Sequence, residues 1–179
     1  MIMHKDLEEI ILQEAEIEKR VRELGMEIAR DYEGQEPLMI CILRGAVIFF
    51  ADLCRVIDIP VQMGFVSLSS YKDGTSSTGK VEERQKLMAD VYGKAVILVE
   101  DIIDTGLTLK DYSQNLLDRG AKSVGICCLL KKPEQTHNVD VKYQGFDIEN
   151  RFVVGYGLDY AEQYRNLPYV GILKKEIYS

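Results

Sequence analysis

The chain has few residues of the kinds that bind metals or form cross-links: four cysteines and two histidines among 179 residues. The cysteines form no CxxC pair and show no Cys/His spacing, so the common zinc-site patterns are excluded. Cys41, Cys127 and Cys128 lie in apolar runs, which favours reduced, buried thiols in a cytoplasmic protein. Neither histidine has a partner residue near it in the sequence, and neither is assigned a role.

Long apolar runs and excess positive charge are also missing. The mean hydropathy is −0.10, and no stretch is long enough to predict a membrane span. The charged start, residues 1–9, lacks the apolar centre of a secretory signal, so we expect no membrane partner. Basic residues number 22 against 29 acidic ones, a net charge of −7. Nonspecific nucleic-acid binding needs many cationic contacts to phosphates, so no nucleic-acid partner is expected.

What the sequence does have is the size and pattern of an α/β protein. Its 179 residues, 46% hydrophobic and 28% charged, fit a single domain over residues 1–179. Strands are predicted at 38–43, 61–68, 96–99, 124–130 and 152–154, and helices at 14–31, 46–56 and 107–119. Strands that are apolar on both faces and alternate with helices predict a mostly parallel sheet with helices on both faces. Residues 8–12 fit either a helical extension or a short strand.

Charged residues directly follow several of these predicted strands. Arg44 follows the first strand, Glu100 and Asp101 follow the third, and Lys131 and Lys132 follow the fourth. The carboxyl ends of parallel strands meet at one edge of the sheet, where such folds bind their ligands. Charges of both signs at this edge predict a polar binding site.

The densest polar segment follows the third predicted strand. Residues 105–108 stand where a predicted loop enters a helix, so backbone N–H groups and the helix dipole favour an anion there. Glu100, Asp101 and Asp104 lie just upstream and repel one another unless a cation or a polyhydroxyl ligand compensates. Helix capping by Asp104 or Thr105 is the simpler interpretation, but it leaves the other acids unexplained. The segment predicts a phosphate site beside a hydrated Mg²⁺ and a sugar diol.

Residues 96–106, Val-Ile-Leu-Val-Glu-Asp-Ile-Ile-Asp-Thr-Gly, resemble the phosphoribosyl-pyrophosphate motif of the type I phosphoribosyltransferases. Residues 43–45, 69–71 and 151–160 resemble the hypoxanthine-guanine branch of that family. The resemblance implies a Rossmann-like fold with a small hood built from the N-terminal and C-terminal segments. It also implies a lid at 69–79, a segment of hydroxyl residues and glycine that fits a flexible loop equally well.

The resemblance also implies site residues and a cofactor. It makes Asp104 the acid or base near N7 of a purine and assigns Ser70 and Tyr71 to the closing lid. The peptide bond between Leu43 and Arg44 is often cis in this family. The implied ligands of 5-phosphoribosyl 1-pyrophosphate are Arg44, Gly45, Ser70, Tyr71, Glu100, Asp101, Asp104, Thr105, Gly106, Thr108 and Arg165. The implied purine site is Lys132, Phe152, Val153 and Asp159, and the implied ligands of the Mg²⁺ cofactor are Glu100, Asp101 and Asp159.

The activity implied by the resemblance is purine salvage. The enzyme would transfer 5-phosphoribose from 5-phosphoribosyl 1-pyrophosphate to hypoxanthine or guanine, as a homodimer or homotetramer. Two other classes remain open. A non-catalytic regulator of the same fold would bind 5-phosphoribosyl 1-pyrophosphate or RNA, although RNA binding is disfavoured by the net charge of −7. A phospho-acceptor signalling domain also gathers acids at strand ends, but its acceptor aspartate stands alone, whereas these acids share one segment.

Overall fold

The computed structural model of the protein describes residues 2–70, 81–136 and 138–178, arranged around two sheets. The strands are β1 Leu7–Leu12, β2 Leu38–Leu43, β3 Gln62–Ser70, β4 Val81–Gln85, β5 Ala95–Ile103, β6 Ser123–Lys131, β7 Tyr143–Asp147, β8 Val153–Val154 and β9 Val170–Leu173. The helices are α1 Glu14–Asp31, α2 Val47–Val56, α3 Leu107–Asp118 and α4 Lys175–Tyr178, preceded by a 3-10 helix at Ile2–Asp6.

The larger sheet has six strands in the order β4-β3-β2-β5-β6-β7. Its neighbouring strands are parallel, except that β4 pairs antiparallel with β3. Alternate residues of its central strands pack on opposite faces: Met39 and Ile97 share a core with α1 and α2, and Ile40 and Leu98 share one with α3. The prediction of a mostly parallel sheet with helices on both faces is therefore confirmed.

Helix α1 forms where the sequence pattern predicts it, over Glu14–Asp31. Ile17, Val21 and Leu24 lie on its buried stripe, which packs against the sheet. At its start, the backbone N–H of Gln13 donates to the Glu16 carboxylate at 2.8 Å as part of a capping box. Among the described residues, no helix is both long and apolar enough to cross a bilayer.

The smaller sheet, in the order β1-β9-β8, joins both ends of the chain. Leu7 pairs antiparallel with Leu173, and Val153 pairs with Ile172. This pairing makes residues 8–12 part of a strand and removes the helical alternative. One face of this sheet carries an apolar core of its own and the other face packs on the main core, and the sheet forms the small hood that the family resemblance implies.

Two strands extend more than one residue beyond their predicted ends, for the same reason. A loop was expected to begin at Glu100, but β5 continues through Ile103 because its last residues pair with β6. Strand β3 was expected to end at Leu68, but it continues through Ser70 because it pairs with β4. The rest of the predicted lid, including Tyr71, lies outside the described residues. In both places, hydrogen bonding to a neighbouring strand extends a strand into polar sequence.

Candidate active site

A cavity of about 410 Å³ opens at the carboxyl ends of β2 and β5. The predicted site residues that line it are Arg44, Gly45, Glu100, Asp101, Asp104, Thr105, Gly106, Thr108, Asp159 and Arg165. Lys132 meets this group from the end of β6, since its ammonium lies 3.0 Å from the Asp104 carboxylate. Phe152 and Val153 belong instead to the hood, where Val153 begins β8 and Phe152 directly precedes it. The fold therefore gathers residues distant in sequence at the edge where ligand binding was expected.

The start of α3 presents backbone N–H donors to this cavity. The helix begins at Leu107, and the first hydrogen bond within it runs from the Lys110 N–H to the Gly106 carbonyl at 3.0 Å. The N–H groups of the first turn have no acceptor within the helix, and they lie at the positive end of its dipole. Thr105 and Thr108 add hydroxyl groups to the cavity wall. This arrangement suits an anion such as a phosphate group.

The simpler interpretation of this segment, helix capping by Asp104 or Thr105, holds only for one long contact, in which the Leu107 N–H donates to the Thr105 hydroxyl at 3.5 Å. The N-cap residue is Gly106, which has a φ of 75° and makes no side-chain capping bond. A side chain at Gly106 would overlap Val139, so glycine is required both for the backbone angle and for the close approach. Asn138 supports the loop from below by donating to the Thr105 carbonyl at 2.9 Å.

Thr136 is a supporting residue that the sequence pattern did not reveal. Its buried hydroxyl lies 3.1 Å from the Ile103 carbonyl and 3.0 Å from the Lys132 carbonyl. It therefore connects the end of β5 to the turn after β6 and fixes the spacing of the two strand ends. The one signal in the sequence is its place, four residues after the lysine at the end of a strand.

Glu100 and Asp101 form the acidic wall of the cavity. The Ile102 N–H donates to Asp101 at 2.8 Å, and the Asp101 N–H donates to Glu100 at 3.2 Å. Burial, and then the neighbouring Asp101 charge, raises the pKa of Glu100 well above its usual range. The Asp101 carboxylate also packs directly on the backbone of Gly45, in the space that a side chain there would fill. A cation or hydroxyl donors in the cavity would compensate this concentration of negative charge.

These carboxylates fit Mg²⁺ as an ion that is shared with a substrate. Mg²⁺ prefers oxygen ligands, keeps several waters, and in phosphate sites takes one or two carboxylates together with phosphate oxygens. In the described part of the chain, no group of three or more His, Cys, Asp or Glu residues is arranged to hold a metal. Asp159, the third predicted ligand, already contacts Arg165 at 2.9 Å and accepts from the Glu162 N–H at 2.9 Å.

One carboxylate connects the two arginines predicted to bind pyrophosphate. Glu162 lies 2.8 Å from a guanidinium nitrogen of Arg44 and 3.6 Å from one of Arg165. Arg165 also donates to the Gly157 carbonyl at 2.8 Å, which fixes its direction. The peptide bond between Leu43 and Arg44 is cis, as the resemblance implies. Glu162 was not predicted, because one acid among many in an acidic chain gives no signal.

The hood contributes an aromatic group near this site. The Phe152 ring stacks on Tyr178 with centroids 4.8 Å apart and meets Tyr160 edge-on at 5.7 Å. Phe152 is 38% exposed, whereas Val153 is buried in the main core that α1 and α2 form with the larger sheet. Tyr160 directly follows Asp159, a residue of the cavity lining. Neither tyrosine was predicted as a site residue, since only the fold brings Tyr178 to Phe152.

Phosphoribosyltransferases are among the known proteins that this chain resembles in sequence and structure. The chain matches the phosphoribosyl transferase domain over residues 8–161. It is 46% identical to a hypoxanthine-guanine phosphoribosyltransferase of Mycobacterium tuberculosis, over 97% of this chain and 89% of that protein. It is 43% identical to the Streptococcus pneumoniae protein of the same name, over 99% of both. A hypoxanthine phosphoribosyltransferase structure from Staphylococcus aureus matches with a TM-score of 0.95 and 43% identity, covering 100% of this chain and 98% of that one. With the fold and the cavity described above, these matches show that the chain belongs to the phosphoribosyltransferase family, in its hypoxanthine-guanine branch.

Proposed function

We propose that this enzyme transfers 5-phosphoribose from 5-phosphoribosyl 1-pyrophosphate to hypoxanthine and guanine. The products are IMP or GMP and pyrophosphate, and the process is purine salvage. The observation that carries the proposal is the single cavity in which the start of α3, the acids at the end of β5 and Arg165 meet. The names of the relatives in Mycobacterium tuberculosis and Streptococcus pneumoniae support the choice of bases.

The phosphoribosyl group would lie between the start of α3 and the acidic wall. We propose that Thr105, Gly106 and Thr108 hold its 5′-phosphate through backbone N–H groups and hydroxyls. Glu100 and Asp101 would accept from the ribose hydroxyls. Loss of pyrophosphate leaves positive charge on the ribose ring, and these two carboxylates stabilise that charge electrostatically.

The leaving pyrophosphate would lie beside the ribose, against Gly45, Arg44 and Arg165. We propose that the Gly45 backbone and the guanidinium groups of Arg44 and Arg165 bind its oxygens, which favours bond breaking because negative charge builds up there. Mg²⁺, held by Glu100, Asp101 and Asp159 together with the substrate, would supply further neutralising charge. Ser70 and Tyr71 are proposed to cover the site and exclude water from the reactive sugar.

The purine would lie between the cavity and the hood. We propose that Lys132 donates to the 6-oxo group while Asp104 exchanges a proton with N7. The ring would stack on Phe152, and the Val153 backbone would contact its edge beside Asp159. Because an ammonium group donates and cannot accept, a 6-amino group would leave Lys132 unpaired. This chemistry favours 6-oxopurines over adenine.

The remaining parts of the proposal concern the whole protein. We infer that residues 1–179 act as one domain, supported by the hood strands, which come from both ends of the chain. We further propose a cytoplasmic enzyme that assembles as a homodimer or homotetramer and requires Mg²⁺. Its partners would be the 6-oxopurine base and 5-phosphoribosyl 1-pyrophosphate.

A coupled assay for pyrophosphate release tests the proposal. With 5-phosphoribosyl 1-pyrophosphate and Mg²⁺ present, we expect release on addition of hypoxanthine or guanine and little on addition of adenine. A non-catalytic regulator would bind 5-phosphoribosyl 1-pyrophosphate in calorimetry without releasing pyrophosphate. A phospho-acceptor domain would neither bind it nor release pyrophosphate. Either outcome would overturn the proposal.

A further inference from the structure

The Phe152 ring is contacted by two tyrosines from different parts of the chain. Tyr178 stacks on it with an interplanar angle of 23°, and Tyr160 meets it edge-on at 87°. Tyr160 and Tyr178 also contact each other, with centroids 6.3 Å apart. Phe152 remains 38% exposed despite both contacts, and the stacked contact with Tyr178 covers only one face of its ring.

The hood fixes the backbone of Phe152 but leaves its ring to be oriented by neighbours. The Phe152 carbonyl accepts from the Leu173 N–H at 3.0 Å, which ties it to β9. The preceding residue, Arg151, pairs with Glu8 of β1 at 2.7 Å. These contacts fix the Cα position, and the choice among the staggered rotamers that remain is set by what packs against the ring. The two tyrosines supply that packing.

Tyr178 is itself held in place by the hood. The Lys174 N–H, just before α4, donates to the Asp6 carbonyl at 3.0 Å, and the Ile177 N–H donates to the Lys174 carbonyl at 3.0 Å. Ile177 and Tyr178 both pack against the apolar core of the hood. The tyrosine is therefore part of a structured turn that can hold the Phe152 ring in one direction.

We propose that Tyr178 is a positioning residue for the purine base, which stacks on the open face of Phe152. Centroids 4.8 Å apart leave no room for a third ring between Tyr178 and Phe152, so the base takes the opposite face. Tyr178 acts through Phe152, without contacting the base, by holding the ring in the direction that the base needs. The inference rests on the proposed stacking of the base on Phe152. It adds Tyr178, whose position determines which face of the Phe152 ring the base uses.

The test compares substitutions of Tyr178 by their effect on each substrate. In Tyr178→Ala we expect the KM for hypoxanthine to rise about three- to tenfold, the fold-change that corresponds to one aromatic pair. The KM for 5-phosphoribosyl 1-pyrophosphate should not change, because its proposed ligands lie in the cavity below. Tyr178→Phe should behave as wild type, since the ring and not the hydroxyl acts. Tyr178→Leu, which keeps apolar volume without a ring, should resemble the alanine variant.

Tyr92→Ala is the matched control, since Tyr92 is a 76% exposed tyrosine that lies against Gly120, outside the cavity lining. Calorimetry with IMP gives an independent readout: its Kd should rise by the same factor in Tyr178→Ala. A fall in KM for hypoxanthine would mean that Tyr178 occupies the face used by the base. An unchanged KM, or equal rises for both substrates with a lower Tm, would assign Tyr178 no positioning role. Each of these results overturns the inference, whereas failure of the wild type to convert hypoxanthine would overturn the proposed function instead.

Discussion

The ammonium group of Lys132 lies 3.0 Å from the Asp104 carboxylate, so the two polar side chains proposed to contact the purine are paired with each other. The Lys132 side chain is 13% exposed, and that of Asp104 is 57% exposed. The lysine therefore cannot move far, whereas the aspartate can turn toward a ligand. The 6-oxo oxygen of an entering purine would accept a hydrogen bond from Lys132 in place of Asp104. The Asp104 carboxylate would then be free to face N7.

This pairing makes Asp104 the first residue to test. If Asp104 exchanges a proton with the base, Asp104→Asn should lower kcat by about 10²-fold or more. The Kd for 5-phosphoribosyl 1-pyrophosphate, measured by calorimetry, should change little because the phosphate donors remain. Asp140→Asn, at an exposed position outside the cavity lining, should leave kcat unchanged. An unaltered kcat in Asp104→Asn at saturating substrates would remove this residue from the mechanism.

Lys132 should set the choice between 6-oxo and 6-amino purines. An unpaired buried donor costs about 1–3 kcal/mol, so wild-type kcat/KM for adenine should be lower than for hypoxanthine by about 5- to 150-fold. Lys132→Gln should bring the two kcat/KM values closer together, because an amide can donate to a 6-oxo group and accept from a 6-amino group. Steady-state kinetics with both bases measures the ratio. Equal use of adenine and hypoxanthine by the wild type would show that the assignment of Lys132 is wrong.

Gly45 should tolerate no side chain, because a Cβ atom there would overlap the Asp101 carboxylate. In Gly45→Ala either the acid or the loop must shift, and small misplacements in an active site can cost about 10²-fold in rate. Gly125→Ala in β6 is the matched control, since a Cβ there meets its nearest neighbour, the Tyr32 hydroxyl, at an ordinary 3.4 Å. We expect kcat/KM to fall only in the first variant. Equal activity of both would show that the close packing at Gly45 has no functional effect.

The raised pKa of Glu100 predicts that its charged carboxylate lowers the stability of the fold while it supports activity. Burial raises this pKa in the folded protein, so ionisation of Glu100 lowers stability as the pH rises through the folded-state value. Glu100→Gln should therefore have a higher Tm than the wild type at pH 8 and no advantage at pH 4. Its kcat should fall by about tenfold or more, because a carboxylate near the developing positive charge is lost. A lower Tm at pH 8 would contradict the inferred cost of the buried charge.

The cysteines should be unreactive in the folded protein. All four are buried, and burial raises the pKa of Cys41 to about 12 and that of Cys54 to about 11. Thiolates are the reactive form, so a disulfide reagent at pH 8 should label the native protein very slowly. The same reagent should label all four cysteines in denaturant. Rapid labelling of the native protein would mean that one of the elements carrying the cysteines, β2, α2 or β6, opens readily.

The elements that the sequence predicts well are those with a strong local pattern. Helix α1 and strand β2 occur with the predicted bounds, because a buried helical stripe and an uninterrupted apolar run each have one natural solution. The prediction ended strand β5 before Glu100, because the sequence becomes polar there. In the structure, pairing with β6 holds this polar end in the strand. Strands β7 and β9 were missed, because each is short and depends on partners elsewhere in the chain.

The site shows the same division. Residues 100–108 were predicted from local spacing, because the start of a helix and the end of a strand are local features. Glu162, Thr136 and Tyr178 were not, since their contacts with Arg44, Ile103 and Phe152 join parts of the chain that are far apart in sequence. In an acidic chain rich in tyrosine, such residues have no distinguishing neighbours. Only the folded arrangement separates them from surface residues of the same type.

Gly45 and Gly157 bring backbone against backbone under the cavity, since a side chain on Gly157 would overlap the Gly45 carbonyl. A surface built from main-chain atoms cannot be reshaped by exchanging side chains, so this wall offers little scope for acquired resistance to an inhibitor that binds there. The hood side is different, because its aromatic contacts are made by the side chains of Phe152, Tyr160 and Tyr178, which substitution changes directly. Compounds that mimic the pyrophosphate end should therefore keep their potency across sequence variants, while compounds that rely on the purine alone should lose it more readily.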